Sequence, residues 1–215
     1  AIEQLHTTAR KLQGIRAVVG LPDLHPGRGY PVGAAFFSTD RFYPALVGGD
    51  IGCGMALHAT SLKVHKTSPS KLEKALGVID GPLPGALLDE VDRDELQALA
   101  QRSGVATADA LLQSLIGGGN HFAELQAVDT LYEESALDKK CVYLMVHSGS
   151  RGLGGAILRE HVERFNHGGL AAASPEADAY WQQHEAAIAY AQLNRRMIAQ
   201  RMAKALRVEL RQVVD

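Results

Sequence analysis

Ile2, Leu5, Ala9 and Leu12 fall on one helical face, and that period predicts a first helix over residues 2–12. "IRAVV" at 15–19 predicts a short strand, and the glycine- and proline-punctuated "GLPDLHPGRGYP" after it predicts a loop. "VGAAFF" (32–37) and "GMALHATSLKV" (54–64) predict two more strands. Ser68 followed by Pro69 is a helix start, with Leu72, Ala75 and Leu76 as the buried face. "GPLPG" at 81–85 breaks the pattern, and two helices are expected near 90–102 and 107–115, the second capped by Thr107. "IGGGNHFAELQAV" reads as a glycine turn running into a strand. "CVYLMVH" (141–147) is continuously apolar, the mark of a strand covered on both faces. "SGSRGLGG" opens a helix over 153–165, and "AAASPEAD" reads as a surface loop. Ser174-Pro175 starts a long final helix to about residue 209, its buried side including Tyr180, His184, Ala187, Ala191, Ile198 and Met202.

Strands and helices are interspersed without the regular alternation of a doubly wound sheet. The pattern predicts an α+β fold, with mixed sheets and flanking helices. A chain of 215 residues is long enough for one substantial core or two small ones, and its composition, 46% hydrophobic and 21% charged, is that of an ordinary globular protein. No apolar run reaches the ~20 residues needed to span a bilayer. Two cysteines make no disulfide framework, so a reducing cytoplasm is the expected compartment. The net charge of −2 argues against non-specific coating of nucleic acid, and it leaves room for a local basic groove. The chain begins at Ala1 inside a helical pattern and stops at Asp215 after an amphipathic one, so it is expected to be a piece of a longer protein.

Four stretches share one character, a polar or metal-binding side chain embedded in glycine beside a strand. They are "PDLHPGRG" (22–29), "GGDIGCG" (48–54), "GGGNHF" (117–122) and "VHSGSRGLG" (146–154). Glycine at this density lets backbone turn sharply and approach a ligand, and successive N–H groups form anion-binding concavities. Asp50 offers a hard oxygen, Cys53 a soft thiolate, and His121 and His147 offer imidazole nitrogens. Mixed oxygen, sulfur and nitrogen donors suit Mn²⁺, Zn²⁺, Fe²⁺ or Co²⁺ better than Mg²⁺. One thiolate can bridge two ions, and two ions ~3.5–4 Å apart suit chemistry at phosphorus. Taken singly, each feature has a plain structural reading: Cys53 as a small hydrophobe in a turn, each histidine as a satisfied core residue. Cys141 fits that plain reading, since it begins an apolar strand with no polar neighbour in sequence.

Three of these stretches, "GGDIGCGM", "GGGNHF" and "HSGSRGLG", taken in that order, resemble the signature blocks of the RtcB family of RNA-splicing ligases. "PDLHPGRGYPVGAAF" resembles the block before them, in the form of the relatives encoded beside release factor H. The resemblance implies an RtcB-like ligase fold, with residues 1–215 as the N-terminal and central part of a single catalytic domain and the C-terminal part absent. It implies an enzyme joining an RNA 3′-phosphate or 2′,3′-cyclic phosphate to a 5′-hydroxyl, with two Mn²⁺ ions and GTP as cofactors. Carried onto matching positions, Asp50, Cys53 and His121 would hold one ion, and Cys53 and His147 the other. Asn120, Phe122 and Glu124 would lie along the guanylate, and Arg151 would reach the RNA phosphate or GTP.

The family also needs a further metal-binding histidine downstream and, near its C-terminus, the histidine that carries GMP. After residue 147 the chain offers only His161, His167 and His184, none in that context and all read as structural or exposed. The 215-residue chain is therefore expected to form no covalent GMP adduct and to be inactive alone. His25 is placed either at the site or on its own loop backbone, and Arg28 either at the surface or on RNA. His58 and His65 are given no role. Two other readings stand beside the ligase: a metal-dependent phosphoesterase or cyclic phosphodiesterase with water as nucleophile, and a non-catalytic paralogue that binds RNA ends.

Overall fold

A computed structural model describes residues 1–77, 81–83, 88–113 and 119–215. The helices are α1 (Ile2–Lys11), α2 (Pro44–Val47), α3 (Pro69–Leu76), α4 (Glu90–Ser103), α5 (Ala108–Leu111), α6 (Gly152–Phe165) and α7 (Pro175–Leu206). The strands are β1 (Ile15–His25), β2 (Val32–Ser38), β3 (Arg41–Phe42), β4 (Gly54–Lys63), β5 (Phe122–Ala127), β6 (Cys141–Ser148), β7 (Leu170–Ala171) and β8 (Leu210–Val214). The α+β expectation holds. All ladders among the described residues are antiparallel, so the expected mixing of strand directions is not seen there.

The chain forms two compact units, Ala1–Gly48 with Ile157–Gln183, and Gly49–Ala156 with His184–Asp215. In the first, β1 and β2 make a two-stranded ribbon and β3 pairs with β7. Leu5 is the buried anchor of α1, whereas Ile2, expected on the same face, is 66% exposed. β1 runs on through the stretch expected as a loop. Its register with β2 is irregular between Gly20 and His25, so Pro22 sits where no regular ladder partner is required. One face of the ribbon, Ala17, Val19 and Leu21 with Ala35 and Phe37, lies open to solvent. His25 Nδ1 lies 2.7 Å from the Asp23 carbonyl, which is the backbone alternative of its two expected placements. Arg28 is exposed. The expected loop "AAASPEAD" is a loop only in its first half: Pro175 begins α7 and Ala177 is fully buried. His161 is buried with Nε2 2.8 Å from Gln183 Oε1, and His167 is exposed beside Tyr30, as structural or surface roles require.

The second unit is built on the four-stranded sheet β5-β6-β4-β8. β6 is central, and Val142, Leu144, Val146 and Ser148 face the interior. The C-terminal part of α7 is buried nearly all round, with Tyr190, Ala191, Leu193, Asn194, Met197, Ile198 and Met202 at most 1% exposed. His184 is only half-buried. The helix ends at Leu206, short of the expected 209. Arg207 adopts φ 56° and Val208 N–H bonds the Ala203 carbonyl, a Schellman closure with arginine where glycine is usual. The chain then turns into β8, a strand the sequence reading missed.

The α3 face is shallower than expected: Leu72 and Leu76 are half-buried and Ala75 is exposed. Thr107 caps α5 by accepting from Ala110 N–H, but this helix covers only Ala108–Leu111, and residues 114–115 of the expected helix lie outside the described residues. So do 84–85 of the "GPLPG" breaker and 116–118 of the glycine turn. Cys141 departs from its apolar reading. Its cross-strand partner is Lys63, whose Nζ lies 3.2 Å from the thiol, and Asp138 Oδ2 lies 3.3 Å away on the other side. Both cysteines are free. His58 is buried on β4, and burial pushes its imidazole below the ordinary histidine range. His65 is exposed on a 3₁₀ turn at Val64–Lys66.

Candidate metal centre

The sheet order explains why distant stretches meet. β6 runs antiparallel between β4 and β5, so its C-terminal end lies beside the N-terminal ends of both neighbours. Met55, His147 and Phe122 are cross-strand partners in one row. His121 immediately precedes β5, and Cys53 immediately precedes β4.

The Asp50–Cys53 segment is a tight turn. Cys53 N–H donates to the Asp50 carbonyl at 3.1 Å, which brings the first and fourth side chains of the turn together. Its third residue, Gly52, has φ 72°, and a Cβ there would stand 2.9 Å from Ala191 Cβ and 3.0 Å from Ile188 Cα. Ile51 is 3% exposed and anchors the turn, and its carbonyl accepts from Ser150 N–H. Gly52→Ala combines an unfavourable left-handed backbone with a clash, and it should lower the stability of the second unit by about 2 kcal/mol or more. Urea unfolding followed by circular dichroism measures this.

Cys53 Sγ lies 3.4 Å from His121 Nε2 and 3.2 Å from His147 Nε2. All three donor atoms lie within 4.8 Å of one another. Asp50 Oδ2 lies 2.8 Å from His121 Nε2. The structure thus gathers Asp50, Cys53, His121 and His147 at one point, and the donor set fits a divalent transition ion. The His147 ring is oriented from behind: its Nδ1 donates to the Asn120 carbonyl at 3.0 Å, leaving the Nε2 lone pair towards Cys53. That backbone role of Asn120 has no side-chain signal in the sequence.

Arg151 lies against the acid and one imidazole. Its backbone N–H donates to Asp50 Oδ1 at 3.3 Å, and its Nη1 donates to His121 Nδ1 at 2.8 Å. A guanidinium only donates, so in this metal-free geometry His121 carries its proton on Nε2, facing Asp50, and an ion held by Nε2 would have to displace that proton. Arg151 takes φ 52° at the entrance to α6, and its Nε and the Ser150 hydroxyl are buried without partners among the described residues. Gly149 permits this crossing, since a Cβ there would fall 2.4 Å from Asp50 Oδ1. Phe122 packs its ring 5.4 Å from that of His147, and Glu124, on the same face of β5, accepts from Gln126 at 2.5 Å. Burial pushes the Cys53 thiol up to about 11, the Asp50 carboxylate adds to the rise, and Arg195 and Arg151 oppose it.

The "tRNA-splicing ligase RtcB" family model matches residues 4–113 and 89–214, nearly the whole chain. The chain belongs to the RtcB family. A relative named RNA-splicing ligase RtcB2, from Escherichia coli, is 45% identical over 220 residues, which cover all of this chain and 56% of that protein. A more distant one, RNA-splicing ligase RtcB of Mycobacterium tuberculosis, is 28% identical over 248 residues, covering 86% of this chain and 57% of the relative. The chain thus spans about half the length of the RtcB proteins it matches. Among the described residues, no helix is long and apolar enough to cross a membrane.

Proposed function

We propose that the chain forms part of a Mn²⁺- and GTP-dependent RNA ligase of the cytoplasm, joining 3′-phosphate or 2′,3′-cyclic phosphate ends to 5′-hydroxyl ends. The observation that carries this reading is the meeting of Cys53 Sγ with the Nε2 atoms of His121, just before β5, and His147, on β6. Asp50, Cys53 and His121 would hold one Mn²⁺, and Cys53 and His147 a second, the thiolate shared between them. Bound there, the ions would supply positive charge against the negative charge that builds on phosphate oxygens during transfer.

The chain's own groups have complementary tasks. Cys53 gives up its proton to act as a donor, and Asn120 keeps the His147 lone pair aimed inward through its carbonyl. Asp50 orients His121. Arg151 would supply positive charge and donors to a phosphate of RNA or GTP, with the amides opening α6 beside it. The Asn120 side chain, Phe122 and Glu124 would hold the guanylate.

A chimera tests the proposal. Substituted for the matched portion of the E. coli RtcB2 protein, the chain should support joining of RNA with 3′-phosphate and 5′-hydroxyl ends in the presence of Mn²⁺ and GTP. His147→Ala in the same chimera should reduce joining below detection. Release of inorganic phosphate without joining would favour a phosphoesterase instead.

A further inference from the structure

The turn that carries Cys53 and the strand end that carries His147 are held from behind by a charged residue on α7. Arg195 is 4% exposed. Its Nη1 donates to the Gly52 carbonyl at 2.9 Å and to the Ser148 carbonyl at 3.1 Å. Gly52 immediately precedes Cys53, and Ser148 immediately follows His147. The β4–β6 ladder has its last pair at Gly54 and Ser148, and beyond it the two segments share the bond from Ser150 N–H to the Ile51 carbonyl. The guanidinium adds a second tie there, between the Gly52 and Ser148 carbonyls. A Cβ at Gly54 would stand 3.4 Å from Nη1, which shows how closely the cation sits against the start of β4. Asp215 holds the opposite side, accepting from Nε and Nη2. The preceding residue, Asn194, is fully buried and donates through Nδ2 to Ser148 Oγ and the Gly149 carbonyl, so consecutive residues of one helix grip the same loop.

We propose that Arg195 is a positioning residue for the metal centre: by bridging the Gly52 and Ser148 carbonyls it sets the separation of Cys53 Sγ and His147 Nε2. The inference rests on the reading of that cluster as a metal site. Arginine suits the task because the planar guanidinium holds Nη1, which bonds both carbonyls, in a fixed position while Nε and Nη2 meet a carboxylate, whereas lysine is a point donor on a flexible stem.

Co²⁺ titration of the full chain, followed by the thiolate-to-cobalt charge-transfer band, tests this with a readout independent of ligation. Arg195→Lys keeps the charge against Asp215 and loses the fork, so it should weaken Co²⁺ binding by about tenfold or more and shift the band. Asp215→Asn weakens the ion pair and keeps the fork, so it should bind Co²⁺ with unchanged affinity even if it melts earlier. Wild-type affinity and band in Arg195→Lys, or an equal loss in Asp215→Asn, would overturn the proposal. Should circular dichroism show Arg195→Lys unfolded, the double variant Arg195→Met/Asp215→Asn removes both buried charges together, a change that proteins often tolerate. Weakened Co²⁺ binding in that variant supports the inference, and wild-type binding overturns it. A wild-type chain without any thiolate band would instead refute the metal reading itself.

Discussion

Cys53→Ala should lose tight divalent-metal binding by more than about 100-fold, since loss of even an outer partner of a ligand costs ~10–100-fold. The expectation follows from geometry: the thiol is the atom within reach of both imidazoles, so its removal leaves His121 and His147 with no common donor. The fold should survive, because Cys53 is exposed and a substitution there is worth within about 0.5 kcal/mol in either direction. Cys141→Ala is the matched control. Its thiol lies between Lys63 and Asp138, and its loss should leave binding intact. Isothermal titration with Mn²⁺ or Co²⁺, backed by metal content after desalting, separates the two variants. Equal binding by Cys53→Ala and wild type would remove the basis for the site.

The second large effect is a pH dependence. Burial and the Asp50 carboxylate push the Cys53 thiol up to about 11, so near neutrality the metal-free protein carries a thiol. A metal bound to the thiolate must displace that proton. Apparent affinity should therefore rise about tenfold per pH unit through the neutral and mildly alkaline range, in step with the thiolate fraction. Titrations in buffers of different ionisation enthalpy should show proton release on binding. Cys53→Ala should flatten the dependence. Stability of the metal-free chain has the opposite sign. The folded state disfavours the thiolate, so stability is full below the ordinary cysteine value of 9.0 and falls as pH rises towards about 11. Metal should reverse that trend. An affinity independent of pH would mean that sulfur is not a ligand.

Much of the site was legible because its chemistry is carried by residue types that stand out in glycine-rich surroundings. Asp50, Cys53, His121 and His147 are named by that contrast and Arg151 by the family resemblance, and the structure brings them together. What escaped notice is carried by backbone or by long-range packing. The Asn120 carbonyl that orients His147 has no side-chain signature. Arg195 lies on the buried side of a long helix, where an arginine reads as a surface charge until its partners, Gly52 and Ser148, are known. β8 was hidden because the end of α7 is made by Arg207 in a left-handed conformation, without the glycine or proline that would announce it. β1 was cut short because Gly20 and Pro22 look like a loop, and only an irregular ribbon lets a strand pass through them. The plain reading of Cys141 failed for a related reason: sequence neighbours of a strand residue say nothing of the lysine across the ladder.

The β1–β2 ribbon has only two strands, so each of its outer rims displays backbone donors and acceptors, and the face bearing Val19, Leu21 and Phe37 is 46–62% exposed at those residues. Bare rims and greasy faces of this kind invite foreign strands to add on. Strand addition in concentrated solution is expected to start at this ribbon, and the cluster around Cys53 belongs to the other unit.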